Sequence, residues 1–194
     1  MADLLSSHPD LRLHVEFDVP SVLETRLSER RLDFALLARA TDFPGIAVEK
    51  IATESFVAVA SPSFVKRVGT PRELHAFQTL RWAIVDSDRA MHDVWWRAAF
   101  GRKAPSATNI ACEVASLDEL LSLAEAGIAA VVLPDYFVTD ALEERRVREL
   151  VPDRFVAKAA AENALYLAWR KSAARSARFE AVYASLRAQP RKTT

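Results

Sequence analysis

Two serines in this chain stand three residues ahead of a glutamate, each where an alternating apolar run gives way to a helical pattern. They are Ser21-Val22-Leu23-Glu24 after Leu11–Asp18 and Ser116-Leu117-Asp118-Glu119 after Asn109–Ala115. Ser-x-x-Glu is a capping box: the hydroxyl accepts from the amide three residues on, and the carboxylate reaches back. A helix start carries free amide donors and about half a positive charge, so the chemistry on offer is anion binding. Pro20 and Leu117, the neighbours of the two serines, join them as candidate contacts. Two further donors follow predicted strands. Arg39 comes after Phe34–Ala38 and can hold a carboxylate bidentately, or stand solvated beside Asp42. Ser87 lies in the polar Asp86-Ser87-Asp88 loop after Arg81–Val85, where the two Asp would repel an anion unless paired.

Catalysis and metal binding find less support. The four His (His8, His14, His75, His92) are scattered, with no pair at ligand spacing, and none has an evident Ser or Asp partner. The single Cys112 sits in an apolar strand, where a thiol is normally inert, and it excludes an internal disulfide. No catalytic residue, metal ligand or cofactor is expected. Four Gly among 194 residues leave no phosphate loop. With 26 basic and 26 acidic residues the chain has no basic footprint for nucleic acid. It shows no apolar run of membrane length and no secretory signal, so a cytoplasmic location is expected.

The elements that position these residues alternate between strand and helix. Leu11–Asp18 has period two and predicts a half-covered strand; Ser21–Arg31 follows as a helix and Phe34–Ala38 as a buried strand. Ala47–Thr53 and Glu54–Ala60 read as two more strands. Ser61-Pro62 opens a short helix to Val68, and Thr70-Pro71-Arg72-Glu73 repeats the capping box. Next come the strand Arg81–Val85, the helix His92–Phe100, the strand Asn109–Ala115 and the helix Leu117–Glu125. Ile128–Leu133 is a strand, Pro134 to about Arg146 a helix, Asn163–Arg170 a strand, and Ala173–Leu186 an amphipathic helix. Trp95 and Trp96 diverge by about 100° on their helix, so one is expected in the core and the other at a surface, an interface or the cleft rim.

The order strand–helix–Leu32-Asp33-Phe34-Ala35-Leu36-Leu37, then Glu54-Ser55-Phe56-Val57-Ala58-Val59-Ala60-Ser61-Pro62, resembles the effector-binding domain of LysR-type transcriptional regulators. Gly127-Ile128-Ala129-Ala130-Val131-Val132-Leu133-Pro134-Asp135 is similar to that family's G-x-G-[IV]-x-x-[LV]-P-[DE] segment, with Ala129 in place of the second Gly. The resemblance covers essentially the whole chain. The family's N-terminal winged helix-turn-helix, linker helix and first sheet strand have no counterpart in these residues.

The resemblance implies an α/β fold of two Rossmann-like lobes joined by crossover strands, like the type 2 periplasmic binding proteins. Lobe I would be 1–60 plus 157–194, and lobe II 61–156. A small, anionic effector would lie in the inter-lobe cleft, touching Ser21, Ser116, Ser87, Arg39, Pro20 and Leu117. A homodimer is expected, formed by the wet side of Leu11–Asp18 and the helix Leu117–Glu125. Neither DNA binding by this chain alone nor membrane contact is expected. A solute-binding protein of the same fold, or a bilobal enzyme, is the alternative.

Overall fold

The computed structural model describes residues 2–85, 90–105, 108–157, 161–173 and 175–188. The chain divides into two compact units, Met1–Thr53 with Ala164–Thr194, and Glu54–Asn163. Two strands, β2 (Ile46–Ala60) and β7 (Glu162–Arg170), run from one unit into the other and are hydrogen-bonded neighbours. The stretch read as two strands, Ala47–Thr53 and Glu54–Ala60, is this one fifteen-residue strand. Nothing in Thr53-Glu54 breaks a strand, since neither Pro nor Gly interrupts it.

The first unit holds helix α1 (Ala2–Ser7), helix α2 (Pro20–Ser28), strand β1 (Phe34–Leu37) and helix α8 (Ala177–Arg187). β1 pairs antiparallel with β7, Phe34 opposite Trp169 and Leu37 opposite Tyr166. Leu23 and Leu27 of α2 pack on Ala35, Leu37, Ile46 and Ala168 to form its core. Arg170 fastens the α2–β1 connection by donating to the carbonyls of Leu27 (2.9 Å) and Leu32.

Three expectations for this unit are corrected. Leu11–Asp18 is not a strand: residues 11–19 contain no turn or bend, yet they belong to no ladder. Period-two patterning describes the segment's two faces but cannot supply a neighbour to pair with. Ser21 does not cap α2. The N-cap is Val19, without a side-chain bond, because Pro20, whose ring fixes a helical φ, starts the helix a residue early. Ser21 instead lies in the first turn, its carbonyl accepting from Thr25 Oγ1 at 2.9 Å. Glu24 does not reach back either; it is buried and pairs with Arg39.

The second unit contains helix α3 (Pro62–Val68), helix α4 (Leu74–Thr79), strand β3 (Trp82–Val85), helix α5 (Ala90–Phe100) and strand β4 (Ile110–Val114). Helix α6 (Leu117–Glu125), strand β5 (Val131–Pro134), helix α7 (Asp135–Glu143) and strand β6 (Arg148–Glu149) follow. Ser61 caps α3, accepting from the Phe64 amide at 3.2 Å. The capping box expected at Thr70 does not form: α4 starts at Leu74 behind Glu73, which makes no side-chain cap. Thr70 therefore stands three residues ahead of the N-cap, out of place to accept from a first-turn amide.

Both Trp95 and Trp96 are buried, at 1% and 0% exposure, in a core with Phe77, Trp82, Ala98 and Ala99. The expected division between core and surface is therefore wrong. A helix enclosed on most sides buries adjacent residues as readily as residues on one stripe, and α5 buries His92, Asp93, Ala98 and Ala99 as well.

Candidate functional site

In the second unit β3 and β4 run parallel, with Val85 opposite Val114. β5 joins β3 in the same direction, since Trp82 and Ala130 form a parallel bridge. The strands' C-terminal ends thus share one edge, and helices begin there. Two residues separate β4 from α6, which starts under the cap of Ser116, whose Oγ accepts from the Glu119 amide at 3.4 Å. α7 starts directly after Pro134. Met91 and His92, in the first turn of α5, line a cavity of about 10 Å³ with Ala83, Ile84, Val85 and Val132. That is room for about one water. Parallel α/β sheets bind ligands at such an edge.

The helix starts differ in their electrostatics. α6 already holds Asp118 and Glu119 in its first turn, and α7 holds Asp135. These carboxylates answer the helix dipole and compete with an incoming anion. α2, in the first unit, has no acid in its first turn. Ser21 is exposed there and lines a shallow depression with Val22, Thr25, Arg26, Glu29 and Arg31. Arg26 is engaged by Glu16 and by Asp18, the latter at 3.1 Å.

Of the predicted contacts, the structure groups Pro20 and Ser21 at the start of α2, and Ser116 and Leu117 at the start of α6. Ser87 lies outside the described residues. Arg39 does not stand free beside Asp42. Its Nη2 lies 3.0 and 3.1 Å from the two oxygens of Glu24, and its Nη1 donates to the Ala40 carbonyl. The guanidinium remains half exposed, so its outer edge still has donors to offer.

Sequence reading overlooked two polar groups. Glu54 accepts from Asn163 Nδ2 at 3.1 Å and from Tyr136 Oη at 3.4 Å. Burial pushes the Glu54 carboxyl up from its ordinary 4.5, the Asp135 charge adds to this, and the bonds from Asn163 and Tyr136 oppose it. The Tyr136 phenol is pushed up to about 12, first by burial and then by the Glu54 charge beside it. The available signal was a carboxylate just ahead of the apolar run Phe56-Val57-Ala58-Val59-Ala60. His92 was also missed. It is buried and accepts from Trp96 Nε1 at 3.0 Å.

Comparison with known proteins now bears on the whole chain. The family model described as LysR substrate binding domain matches residues 1–191. A curated relative, a probable hydrogen peroxide-inducible genes activator of Streptomyces viridosporus, is 31% identical over 183 residues. Those residues are 93% of this chain and 56% of the relative, so the chain spans about half of that protein's length. Among solved structures, ArgP from Mycobacterium tuberculosis superposes with a TM-score of 0.81 at 19% identity, covering 96% of this chain and 61% of that one. The regulatory domain of CrgA, a LysR-type transcriptional regulator from Neisseria meningitidis, gives 0.75 at 20% identity, covering 96% and 87%. These likenesses establish the type 2 periplasmic-binding-protein-like fold. The family match, which takes in nearly every residue, goes further: this chain belongs to the LysR substrate-binding domain family, the effector-binding regulatory domain of LysR-type transcriptional regulators.

Proposed function

We propose that the domain senses a small anionic metabolite, with the start of α6 and the Ser116 hydroxyl as its contacts in the second unit and the Ser21 amide and hydroxyl as candidate contacts in the first. The observation that carries this is the β4–Ser116–α6 junction, a capped helix start at the C-terminal end of a parallel strand. Pro20 and Leu117 supply apolar walls beside the serines, Ser87 a further donor, and the outer edge of Arg39 a bidentate grip on a carboxylate. Another family-like fold, the effector-binding domain of QuiR, has been solved in complex with shikimate. The domain acts in the cytoplasm as a homodimer and reports occupancy to a DNA-binding part that these residues do not include. It performs no catalysis.

The name of the Streptomyces relative raises peroxide as a second signal. Cys112 is the one cysteine in 194 residues, so no disulfide can close within this chain. A metabolite fits the residues better than a thiol switch does.

Melting the protein against a panel of small organic acids tests the reading. A true effector near 100 times its dissociation constant adds about 2.7 kcal/mol to stability. Ser116→Leu should abolish that shift while the apo fold loses only a cap, about 1 kcal/mol. An intact fold stabilised only by cationic or apolar compounds would refute it, as would acids whose shifts survive bulky changes at both Ser21 and Ser116.

A further inference from the structure

The two units repeat one local structure. In the second, α6 has nine residues, Gly127 takes the left-handed position after its end at φ +71°, and β5 starts four residues later at Val131. In the first, α2 has nine residues, Arg30 takes that position at φ +63°, and β1 starts four residues later at Phe34. The closing bonds match too, Arg31 N donating to Arg26 O at 2.9 Å and Ile128 N to Leu123 O at 3.0 Å. Each of these strands then pairs antiparallel with a strand that crosses between the units, β5 with β2 and β1 with β7.

The repeat fails at one place. In the second unit β3 runs between the two strands that α6 connects, in a parallel ladder with β4 and a parallel bridge to β5. Counting back from α2 as from α6 puts Leu13–Phe17 in the place of Ile110–Val114. Among the described residues no strand pairs with the matching edges. Residues 11–19 belong to no ladder, the amides of residues 12–18 donate to no acceptor, and β1 ends its sheet, paired with β7 alone. Val15, Phe17, Val19 and Leu36 stand 50%, 93%, 58% and 51% exposed on these two segments. Glu16 and Asp18 meanwhile hold Arg26, which ties the extended segment to α2.

We propose that the first unit accepts one strand from a partner polypeptide, inserted between residues 13–17 and β1 and parallel to both. Its chemistry follows from β3, which fills the same place in the second unit and is apolar throughout, with three of its four residues buried. A strand paired on both edges in a parallel arrangement is covered on both faces, so the occupant is a short, continuous apolar run without Pro. The register of β3 sets the occupant's first residue opposite Leu13 and its last opposite Phe17, as Trp82 faces Ile110 and Val85 faces Val114. Residues 11–19 of a second copy do not fit, because they alternate with charged residues. The insertion needs neither the effector nor the homodimer.

Hydrogen exchange on the purified chain, with a synthetic peptide of the sequence Arg81–Val85 as probe, is the test. At about 1 mM the peptide should slow exchange in residues 12–18 and at the outward amides of 34–37 together, by about tenfold. The peptide carrying Ala83→Pro should do neither, because it lacks a ladder donor. In a Cys112→Ser background, the peptide carrying Val85→Cys should form a disulfide with Phe17→Cys. It should not do so with Leu13→Cys, roughly 13 Å away along the strand. No protection, protection of one segment without the other, an equal effect of the proline peptide, or cross-linking at Leu13→Cys overturns the insertion. Exchange already slow without peptide and faster on dilution would name a second copy as the occupant and overturn it as well.

Discussion

Asn163 donates its Nδ2 to Glu54 Oε1 across 3.1 Å, joining the last residue of the second unit to its first. The bond links β2 to β7 at the point where both strands pass between units. Because burial raises the Glu54 pKa, the folded chain holds that proton more tightly than the unfolded chain does. The resulting stability is complete below the ordinary 4.5 and is lost as pH rises through the higher folded value. Glu54→Gln keeps an acceptor for Asn163 and removes the titration. We therefore expect the variant to melt with the parent in acid and above it at neutral pH. Parallel melting curves across that range would contradict the assignment.

Gly127 is the glycine whose replacement should cost most. Its φ is +71°, and an added Cβ would lie 2.7 Å from Ser63 Oγ and 3.1 Å from Ser61 Oγ, the cap of α3. Gly127→Ala should destabilise by about 2–3 kcal/mol, combining left-handed strain with overpacking. Gly45→Ala, at φ +77° with nothing within 4 Å, should lose only about 1 kcal/mol. Denaturant midpoints measure both, and equal losses would rule out the steric term.

Arg39→Ala strips the partner from a carboxylate whose residue is 5% exposed. Since the arginine itself is half exposed, water recovers part of the loss, and a cost of about 1–3 kcal/mol is expected. Adding Glu24→Gln should return some of it. A double variant no more stable than Arg39→Ala would show that packing, not charge, was removed.

The serines should separate by role. Ser61→Ala and Ser116→Ala each remove a cap and should cost about 1 kcal/mol. Ser21→Ala removes none and should stay within about 0.5 kcal/mol. Urea unfolding distinguishes the two classes.

Local rules located what local forces decide. Ser61 before Pro62 and Ser116 before a helical run cap their helices as expected, because a cap needs only the next three residues. The strands Phe34–Leu37, Trp82–Val85 and Ile110–Val114 emerged from their apolar patterns. What failed depends on distant atoms. Residues 11–19 have a strand's alternation and no neighbour, and Ser21 lost its cap to the ring of Pro20. The Arg39–Glu24 pair spans 15 positions and the Glu54–Asn163 pair 109, separations that no periodicity reports. Among the candidate contacts, Ser116 and Leu117 read correctly as a helix start, whereas Arg39 needed the tertiary structure to reveal its partner.

The pairing of Phe34 with Trp169 sets an order of events during synthesis. Residues 54–163 form one unbroken run and can collapse as soon as they emerge. β1 leaves the ribosome early, but its partner strand in the described structure is β7, more than a hundred residues later. At elongation rates of about 5–20 residues per second that gap lasts on the order of ten seconds. Throughout it Leu23, Leu27, Ala35 and Leu37 have one another and Ile46 but not Ala168, so the first unit closes its core only after residues 54–163 have been made.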